Sequence, residues 1–436
     1  MRSRGCGNFP ITSKGRSVID NGDNLAIFKR PVAVDLFAGV GGFSLGMEQA
    51  GFDVLVAVES DPVHACTYKF NFPLTEVICA DITKLTAATI KQAALKSWVT
   101  HNKTCTPWDG QIDLVFGGPP CQGFSLMGKR LIDDDRNHLV LEFCRLVIEL
   151  NPRYFVMENV PGMVAGEHKT WLNKLKNKFK RHGYSGKAQI LNAADFGVPQ
   201  RRKRLFFCGA QAGIEVCFPK PLGENTVKVV EAIADLPDLD SFPELKTTDQ
   251  VLLSCQQSAQ AEQKISCYAK SLREANYYAY PRLWNPQLLT SSMQTQHNAT
   301  SIARFAATSA NQREPISHLR RLDLNGLCHT LRAGTGSDRG SYTSPRPIHP
   351  ILPRVISVRE AARLHSFPDW FRLHQTKWHG FRQVGNSVPP LLAQAVGKKI
   401  VASLGITPVL PQRVLPLGDL QMLRFEACYA RKYWLS

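Results

Sequence analysis

The chain has 436 residues, of which 44% are hydrophobic, and 53 lysines and arginines against 36 aspartates and glutamates give a net charge of +17. This length suits one large domain or two, and the excess of cations favours a polyanionic partner such as nucleic acid. No run of about 18 apolar residues occurs, so the sequence predicts no membrane-spanning helix. The 12 cysteines form no CxxC pair and no zinc-ligand spacing, which predicts reduced thiols in a cytoplasmic protein without a structural metal.

Strands and helices alternate along the first half of the chain. An apolar strand over 32–37 runs into the glycine-rich turn 38–42, and a helix over 43–50 follows. Further strands are predicted at 53–59, 76–79, 112–116, 154–157, 187–191 and 204–208, with helices at 62–70, 136–150 and 169–181. This alternation predicts an α/β fold with a mostly parallel sheet and helices on both faces.

The alternation stops after the seventh strand. Residues 216 to about 350 are rich in Pro, Ser, Gln and Asn, which predicts a second, irregular domain or a large insertion. Regularity returns at Ser357, where a Ser-x-x-Glu sequence of capping-box form opens a helix, and another helix is predicted over 388–402. Residues 1–30 and 405–436 are expected to be an extension and a tail of undetermined role.

Reactive residues follow five of the predicted strands. In a parallel α/β sheet, ligands bind beyond the carboxyl ends of the strands. The strand ends here carry the turn 38–42, Glu59, Asp81, Cys121 and Glu158-Asn159. Their convergence predicts one common site at that edge of the sheet.

The glycine turn favours a nucleoside cofactor. Gly39 and Gly41 lie between a strand and a helix, so a ligand can approach the backbone and the free N–H groups of the helix start. Glu59 lies 20 residues after Gly39, where a carboxylate can accept hydrogen bonds from ribose hydroxyls. Position 44 is Ser instead of the Gly or Ala of the dinucleotide fingerprint, which disfavours an NAD-type oxidoreductase. On these residues alone, a structural turn with a solvated glutamate is the alternative.

Cys121 lies where a nucleophile would be held rigidly. Pro119 and Pro120 fix the backbone before the thiol, and a glycine-containing segment follows it. A thiolate paired with the carboxyl group of Glu158 suits attack on C6 of cytosine, with N3 protonated or hydrogen-bonded as charge develops. C5 could then accept a methyl group from a sulfonium donor. An incidental cysteine and an ion-paired glutamate are the structural alternatives.

A run of four cations, Arg201 to Arg204, begins the seventh strand. Side chains alternate across a strand, so Arg202 and Arg204 are predicted to project together and to hold a base edge or a phosphate. The alternative is a solvated run of charge.

Together these segments resemble the DNA (cytosine-5) methyltransferase family. The matching stretches occur in the family's order between residue 32 and about residue 400. They are DLFAGVGG (35–42), ES (59–60), DI (81–82), GPPCQGFS (118–125), ENV (158–160), QRRKR (200–204), REAARL (359–364) and GNSV (385–388). In addition, His329-Thr330-Leu331 resembles the family's Thr-Leu segment in the recognition domain.

The resemblance implies transfer of a methyl group from S-adenosyl-L-methionine (AdoMet) to C5 of a cytosine within a short duplex DNA sequence. Cys121 would attack C6 of a flipped-out cytosine, and Glu158 would contact its N3 and amino group. Arg202, with Arg204, would orient the base. A loop from Gly123 to Asn137 would close on DNA, and its DNA-binding residues would be Gln122, Gly123, Phe124 and Ser125.

The resemblance also implies a cofactor cleft. Phe37 would pack on the adenine, Glu59 would hold the ribose, and Asp81 would contact the adenine edge. The full set of cofactor-binding residues would be Phe37, Gly39, Gly41, Gly42, Glu59, Ser60, Asp81, Ile82, Pro120, Leu139, Asn386 and Ser387.

The implied fold is the Rossmann-like, AdoMet-dependent methyltransferase fold with a smaller, irregular target-recognition domain. The expected segments are an extension (1–30), a catalytic domain (31–215), the recognition domain (216–375), a segment completing the catalytic domain (376–404) and a tail (405–436). The expected protein is a cytoplasmic, nucleoid-associated monomer that binds double-stranded DNA and no membrane. A restriction endonuclease acting on the same sequence is a further expected partner.

Two alternatives stay open at this stage. One is an RNA (tRNA) cytosine-5 methyltransferase on the same scaffold, and the other is a non-catalytic DNA-binding regulator. The large second domain favours DNA, as does the absence of the Cys-Phe-Thr tripeptide of the tRNA-modifying branch.

Overall fold

The computed structural model describes residues 27–102, 107–120, 138–164, 168–223, 226–274, 278–334 and 346–435. Cys121 and the predicted DNA-binding loop residues Gln122, Gly123, Phe124 and Ser125 lie outside the described residues, as does most of the N-terminal extension.

One seven-stranded sheet organises the first half of the chain. Its strands are β1 (Val32–Leu36), β2 (Asp53–Glu59), β3 (Glu76–Cys79), β4 (Leu114–Gly117), β5 (Tyr154–Asn159), β6 (Tyr184–Asn192) and β7 (Lys203–Gln211). They are ordered β3-β2-β1-β4-β5-β7-β6. β1 to β5 are parallel, whereas β7 runs antiparallel between β5 and β6. The predicted α/β fold is confirmed.

Helices cover both faces of this sheet. The helices of the described residues, on the sheet and elsewhere, are in chain order α1 (Gly42–Ala50), α2 (Pro62–Asn71), α3 (Ala87–Asn102), α4 (His138–Leu150), α5 (His168–Arg181), α6 (Val229–Ile233), α7 (Cys255–Gln263), α8 (Cys267–Ser271), α9 (Ala299–Ala307), α10 (Val358–Leu364), α11 (Lys377–Asn386), α12 (Pro390–Ser403) and α13 (Ala427–Leu435). Buried side chains of α3, α4 and α5 form a hydrophobic cluster on one face, and those of α1 and α12 form another on the opposite face. Because helices cover both faces, β1 is entirely buried, and four of its five residues are apolar.

Glycines let α1 and α12 cross closely. A Cβ added at Gly46 would lie 2.3 Å from Ala393 Cβ, and one added at Gly397 would lie 2.6 Å from Ala50 Cβ. Both distances are below any ordinary contact, so this helix pair requires the two glycines. The crossing brings the chain from beyond residue 376 back onto the sheet.

The region after β7 contains short helices and two-residue ladders. Leu239, Phe242, Leu245, Leu253 and Leu289 form a small hydrophobic cluster of their own. Other residues of this region, including Val229, Tyr268 and Leu331, share a cluster with Leu45 and Ala57 of the sheet layer. The irregular region is therefore partly built onto the core of the sheet, and the predicted domain boundaries stay a prediction.

The REAARL segment is structural where it is described. Ser357 Oγ accepts a hydrogen bond from Glu360 N at 3.1 Å, and Glu360 Oε2 accepts one from Ser357 N at 2.6 Å, which confirms the predicted capping box. Arg354 pairs with Glu360 at 2.8 Å. Burial raises the pKa of Glu360, but Arg354, His349 and the hydrogen bond from Ser357 N together outweigh it and lower that pKa to about 2. Arg363 bonds Asp235 and Asp369, so this helix is fixed by buried ion pairs.

The tail is part of the folded unit. Ile406–Thr407 pairs with Ile27–Phe28, and Leu415–Pro416 pairs with Arg282–Leu283. Trp434 Nε1 donates to Pro62 O at 3.2 Å, which holds α13 against the start of α2. Among the helices of the described ranges, none has the length and apolar character needed to cross a membrane.

Candidate active site

An ion pair lies at the carboxyl edge of the sheet. β7 runs antiparallel, so its first residues arrive at the edge where β5 ends, with Glu158 opposite Phe206 and Arg204 opposite Leu191. Arg204 Nε lies 2.9 Å from Glu158 Oε1, and the two side chains are 15% and 12% exposed. Burial raises the pKa of Glu158, and this effect outweighs the opposing attraction of Arg204 and Arg202. The carboxyl group is thus nearly enclosed and favours its protonated form more than a solvated glutamate does.

The turn that leads to Cys121 lies against this carboxyl group. A Cβ added at Gly118 would lie 3.1 Å from Glu158 Oε2. Asn159 Nδ2 donates to Pro119 O at 3.3 Å, which ties the end of β5 to the proline turn. At Gly117, a Cβ would lie 1.9 Å from Leu36 O, so only glycine fits there. Although Cys121 itself lies outside the described residues, Gly118, three residues before it, borders Glu158.

Arg202 has a different environment from Arg204. It is 2% exposed, and its Nη1 donates to Leu331 O at 2.8 Å. Its Nη2 donates to Gly385 O at 2.8 Å and to Ser387 O at 3.0 Å. Burial and the charge of Arg204 lower the pKa of Arg202, so the two guanidinium groups lie near each other although their hydrogen-bond partners differ. That they jointly hold a base edge or a phosphate stays a prediction.

The glycine turn and Glu59 are joined directly. Gly39 N donates to Glu59 Oε2, and Asp61 N donates to Glu59 Oε1, both at 2.8 Å. Phe37, Gly39 and Gly41 all have positive φ, at 68°, 57° and 94°. Glycine is required at position 41 for two reasons. Its φ is positive, and a Cβ there would lie 2.3 Å from the ring of Phe72. Ser60 follows Glu59 at the strand end and is exposed.

A distant part of the chain completes the turn. A Cβ added at Gly42 would lie 2.7 Å from Val388 O and 2.8 Å from Ser387 Cβ. Ser387 is buried, and its Oγ donates to Gln383 O at 2.8 Å, whereas Asn386 is exposed at the end of α11. The predicted cofactor residues at the two ends of the catalytic region thus meet in space.

Four other predicted cofactor residues differ in exposure. Asp81 is exposed, and its carboxylate accepts a hydrogen bond from Thr83 N at 3.0 Å, which lowers its pKa. Ile82 is 3% exposed and packs in the core, so its side chain does not face solvent. Pro120 is exposed beyond β4, and Leu139 is half-buried in the first turn of α4.

A buried polar chain beneath the glycine turn was not predicted from the sequence. Ser44 Oγ donates to Asp35 Oδ2 at 2.6 Å, and Tyr68 OH donates to Ser44 Oγ at 2.7 Å. Burial raises the pKa of Asp35 well above its usual range, against the opposing effect of the Ser44 bond. Ser44, which breaks the dinucleotide fingerprint, therefore has a partner that fixes the strand to α1. The signal available in the sequence was the acidic residue inside an otherwise apolar strand.

These features fit a nucleoside cofactor. A Cβ added at Gly39 would meet no atom within 4 Å, so the turn is open on that side. Around it lie a half-buried aromatic ring at Phe37 and the carboxylates of Glu59 and Asp81. An aromatic face can stack on the adenine ring, and carboxylates can accept hydrogen bonds from the hydroxyl and amino groups of an adenosine.

The sequence matches a known family over most of its length. Residues 32–402 match the sequence model of the C-5 cytosine-specific DNA methylases. The chain belongs to this family. It is 49% identical over 401 residues to the Type II methyltransferase M.XorII of Xanthomonas oryzae pv. oryzae, covering 90% of each chain. It is 35% identical over 371 residues to the Type II methyltransferase M1.HphI of Haemophilus parahaemolyticus, covering 84% of this chain and 86% of the relative.

A solved structure agrees with this assignment. The crystal structure of a protein assigned as a DNA modification methyltransferase of an E. coli prophage has a TM-score of 0.68 and 34% identity. The match covers 86% of this chain and 99% of the other. The chain is therefore a DNA cytosine-5 methyltransferase of the bacterial modification type, with AdoMet as its methyl donor and duplex DNA as its substrate.

Proposed function

We propose that the methyltransferase acts on a cytosine flipped out of a specific short duplex sequence, through a covalent bond between Cys121 and C6. The observation that carries this proposal is the enclosed Glu158–Arg204 pair beside the turn that leads to Cys121. C6 of a stacked cytosine is out of reach of any side chain, so the base must leave the helix before the reaction.

The proposed reaction begins with attack of the Cys121 thiolate on C6. As the S–C6 bond forms, the C5–C6 π electrons move toward N3, and protonated Glu158 places its proton there. Burial favours the protonated carboxyl group, which is the form that this step requires. Arg204 holds Glu158 in position. Arg202 donates hydrogen bonds to three backbone carbonyls and thereby fixes the segments around the site.

The remaining steps restore the base. C5, now enamine-like, forms a bond to the methyl group, the C5 proton leaves to solvent, and the S–C6 bond breaks as Glu158 recovers the N3 proton. Bound AdoMet supplies the methyl group as an electrophilic sulfonium. Among the residues that would hold it, Phe37 packs on the adenine, Glu59 accepts from the ribose and Asp81 contacts the adenine edge.

The other predicted cofactor residues would contribute mainly through the backbone. Gly39, Gly41 and Gly42 give the turn its shape, and Ser387 and Asn386 close it from the far end of the chain. Ser60, Pro120, Leu139 and Ile82 would border the same cleft, Ile82 through its main chain because its side chain is buried.

The test is Cys121→Ser. The variant is expected to bind AdoMet as the wild type does and to transfer no methyl group to DNA. A duplex with 5-fluorocytosine at the target position should trap wild-type protein covalently, because fluorine blocks elimination at C5. Turnover of the variant at a near wild-type rate, or an active enzyme that forms no adduct, would overturn the mechanism.

The biological setting is also proposed. A cytoplasmic, nucleoid-associated monomer that protects DNA from an endonuclease acting on the same sequence would account for the likeness to Type II methyltransferases. Bisulfite sequencing of DNA from an expressing host would give the recognition sequence. Methylation assays on duplex DNA and tRNA side by side would separate this proposal from an RNA-modifying role.

A further inference from the structure

A group of three arginines and one histidine lies around Asn311 and the Gln200–Arg201 pairing, and the proposed reaction gives it no role. It consists of Arg201, Arg313, Arg320 and His329, which we call the basic rim. Arg201, Arg313 and His329 are exposed, and Arg320 is partly exposed. Arg201 precedes Arg313 and Arg320 by more than 100 residues, so only the fold brings it next to them.

Backbone pairing joins the rim to the site. Cys328–His329 pairs in parallel with Gln200–Arg201, which places His329 opposite Arg201. Thr330 Oγ1 donates to Arg201 O at 2.7 Å and closes this junction. Arg201 is adjacent to the buried Arg202, so the rim begins just before β7, the strand that carries Arg204 to Glu158.

Asn311 holds the other half of the rim. Arg313 and Arg320 face each other across an antiparallel bridge. Arg320 Nη1 donates to Asn311 O at 2.5 Å and to Asn311 Oδ1 at 3.2 Å. His329 Nε2 lies 3.1 Å from the same Asn311 Oδ1. The guanidinium group and the imidazole are therefore arranged around one amide.

The positive charge of the rim is uncompensated within the described residues. There, none of its three arginines has a carboxylate within 4.0 Å, whereas Arg204, Arg282 and Arg354 each pair with a glutamate. Burial lowers the pKa of His329, and Arg320, Arg201 and Arg313 lower it further, so three cations surround one imidazole. Repulsion among these positive charges raises the free energy of the unbound protein, and an anionic partner would remove it.

Two carboxylates near the rim have other partners. Glu314, next to Arg313, is buried and pairs with Arg304 at 3.5 Å. Asp195 lines a cleft of about 410 Å³ together with Arg201 and Thr330, and it accepts a hydrogen bond from Asn192 Nδ2 at 3.2 Å. Neither neutralises the rim.

We propose that the basic rim binds backbone phosphates of the strand from which the target cytosine is extruded. This inference rests on the proposed function. A cytosine that reaches Glu158 remains joined to its neighbours through the phosphates on either side, so the strand must pass over the residues that border the pocket. Arg201 is three residues before Arg204, on the segment that leads to this pocket. Contacts of this kind position the duplex and carry no base readout.

The test is the salt dependence of DNA binding by the full-length protein. The variant Arg201→Ala/Arg313→Ala/Arg320→Ala and the wild type are titrated with a fluorescent 40-base-pair unmethylated duplex at several potassium chloride concentrations. Each phosphate contact contributes about 0.9 to the slope of log K against log salt, so the variant's slope should fall by about 2–3. Replacing the same three residues by Lys should leave the slope near the wild-type value.

A matched control removes three exposed cations at the opposite edge of the sheet. Lys174, Lys180 and Arg181 belong to α5, which ends just before β6 begins at the amino edge. Changing them to Ala removes the same charge and should leave the slope unchanged. An equal loss in the control, or no loss in the rim variant, would overturn the proposal.

Two further measurements keep the outcomes separate. If the triple variant unfolds or loses AdoMet affinity, the single variant Arg313→Ala is used instead. The Arg313 side chain makes no hydrogen bond or ion pair among the described residues, so its loss should not disturb the fold. The salt-dependence slope of this variant should fall by about 0.9. Failure of the proposed function would appear as wild-type protein that binds DNA but forms no covalent adduct. Failure of this inference would leave an active enzyme whose salt slope is insensitive to the rim.

Discussion

Replacing Glu158 by Gln tests whether the proposed reaction requires proton transfer from this side chain. Glutamine keeps the size of the side chain and can still donate a hydrogen bond to N3, but it cannot transfer a proton. Glu158 is only 12% exposed and lies 2.9 Å from Arg204, so few other groups can take over its role. Because Cys121 and the cofactor residues are unchanged, AdoMet binding should be unaffected.

The expected loss in rate follows from the size of general acid catalysis. Proton transfer by a positioned side chain typically contributes about 10²–10⁴-fold. This range corresponds to about 2.7–5.4 kcal/mol in the activation free energy. Single-turnover transfer of a radiolabelled methyl group to duplex DNA measures this loss without interference from product release. Glu149→Gln is the matched control, because that glutamate pairs with Arg145 on the outside of α4.

The same substitution has a predicted pH dependence. Burial raises the pKa of Glu158 in the folded protein above its unfolded value. The folded state therefore holds the proton more tightly, and its stability falls as pH rises through the two pKa values. The melting temperature of Glu158→Gln relative to the wild type should rise with pH between about 4.3, the usual pKa of glutamate, and the raised pKa of the folded protein, and it should be constant outside that range. A rate within threefold of the wild type, or a pH-independent difference in melting temperature, would refute the reasoning.

Three other perturbations test the supports of the site. Arg202→Met leaves the carbonyls of Leu331, Gly385 and Ser387 without their donor. The free energy of unfolding, measured by urea titration, should fall by about 2–4 kcal/mol. An unchanged urea midpoint of unfolding would contradict the assigned anchoring role. Gly42→Ala places a methyl group 2.7 Å from Val388 O. The affinity for AdoMet, measured by calorimetry, should fall at least tenfold because the turn must shift to avoid this contact. Unaltered affinity would show that the turn can move without loss of binding. Trp434→Ala removes the bond to Pro62 O and packing on α2, and should cost about 1–3 kcal/mol of stability; no loss would mean that α13 is only loosely held.

The strands of the sheet could be predicted from the sequence because their signals are local, whereas their order and the antiparallel direction of β7 were not predicted. Apolar runs such as 53–59 and 154–157 match β2 and β5 closely, and helix α10 begins at the predicted capping box. The helix α3 was missed, since its alanine-rich sequence carries only a weak apolar stripe. Residues that act at strand ends, including Glu59 and Glu158, could be identified because the parallel sheet fixes where such ends lie.

The sequence alone determined the family, the sheet and the identity of the residues at its carboxyl edge. Only the tertiary structure separated Arg204, which pairs with Glu158, from Arg202, which holds three carbonyls. Only the tertiary structure brought Ser387 onto Gly42, and His329 next to Arg201. The physical reason is the range of the interactions. Periodicity and capping involve residues a few positions apart, whereas burial, ion pairing and close backbone contacts join segments that are dozens to hundreds of residues apart.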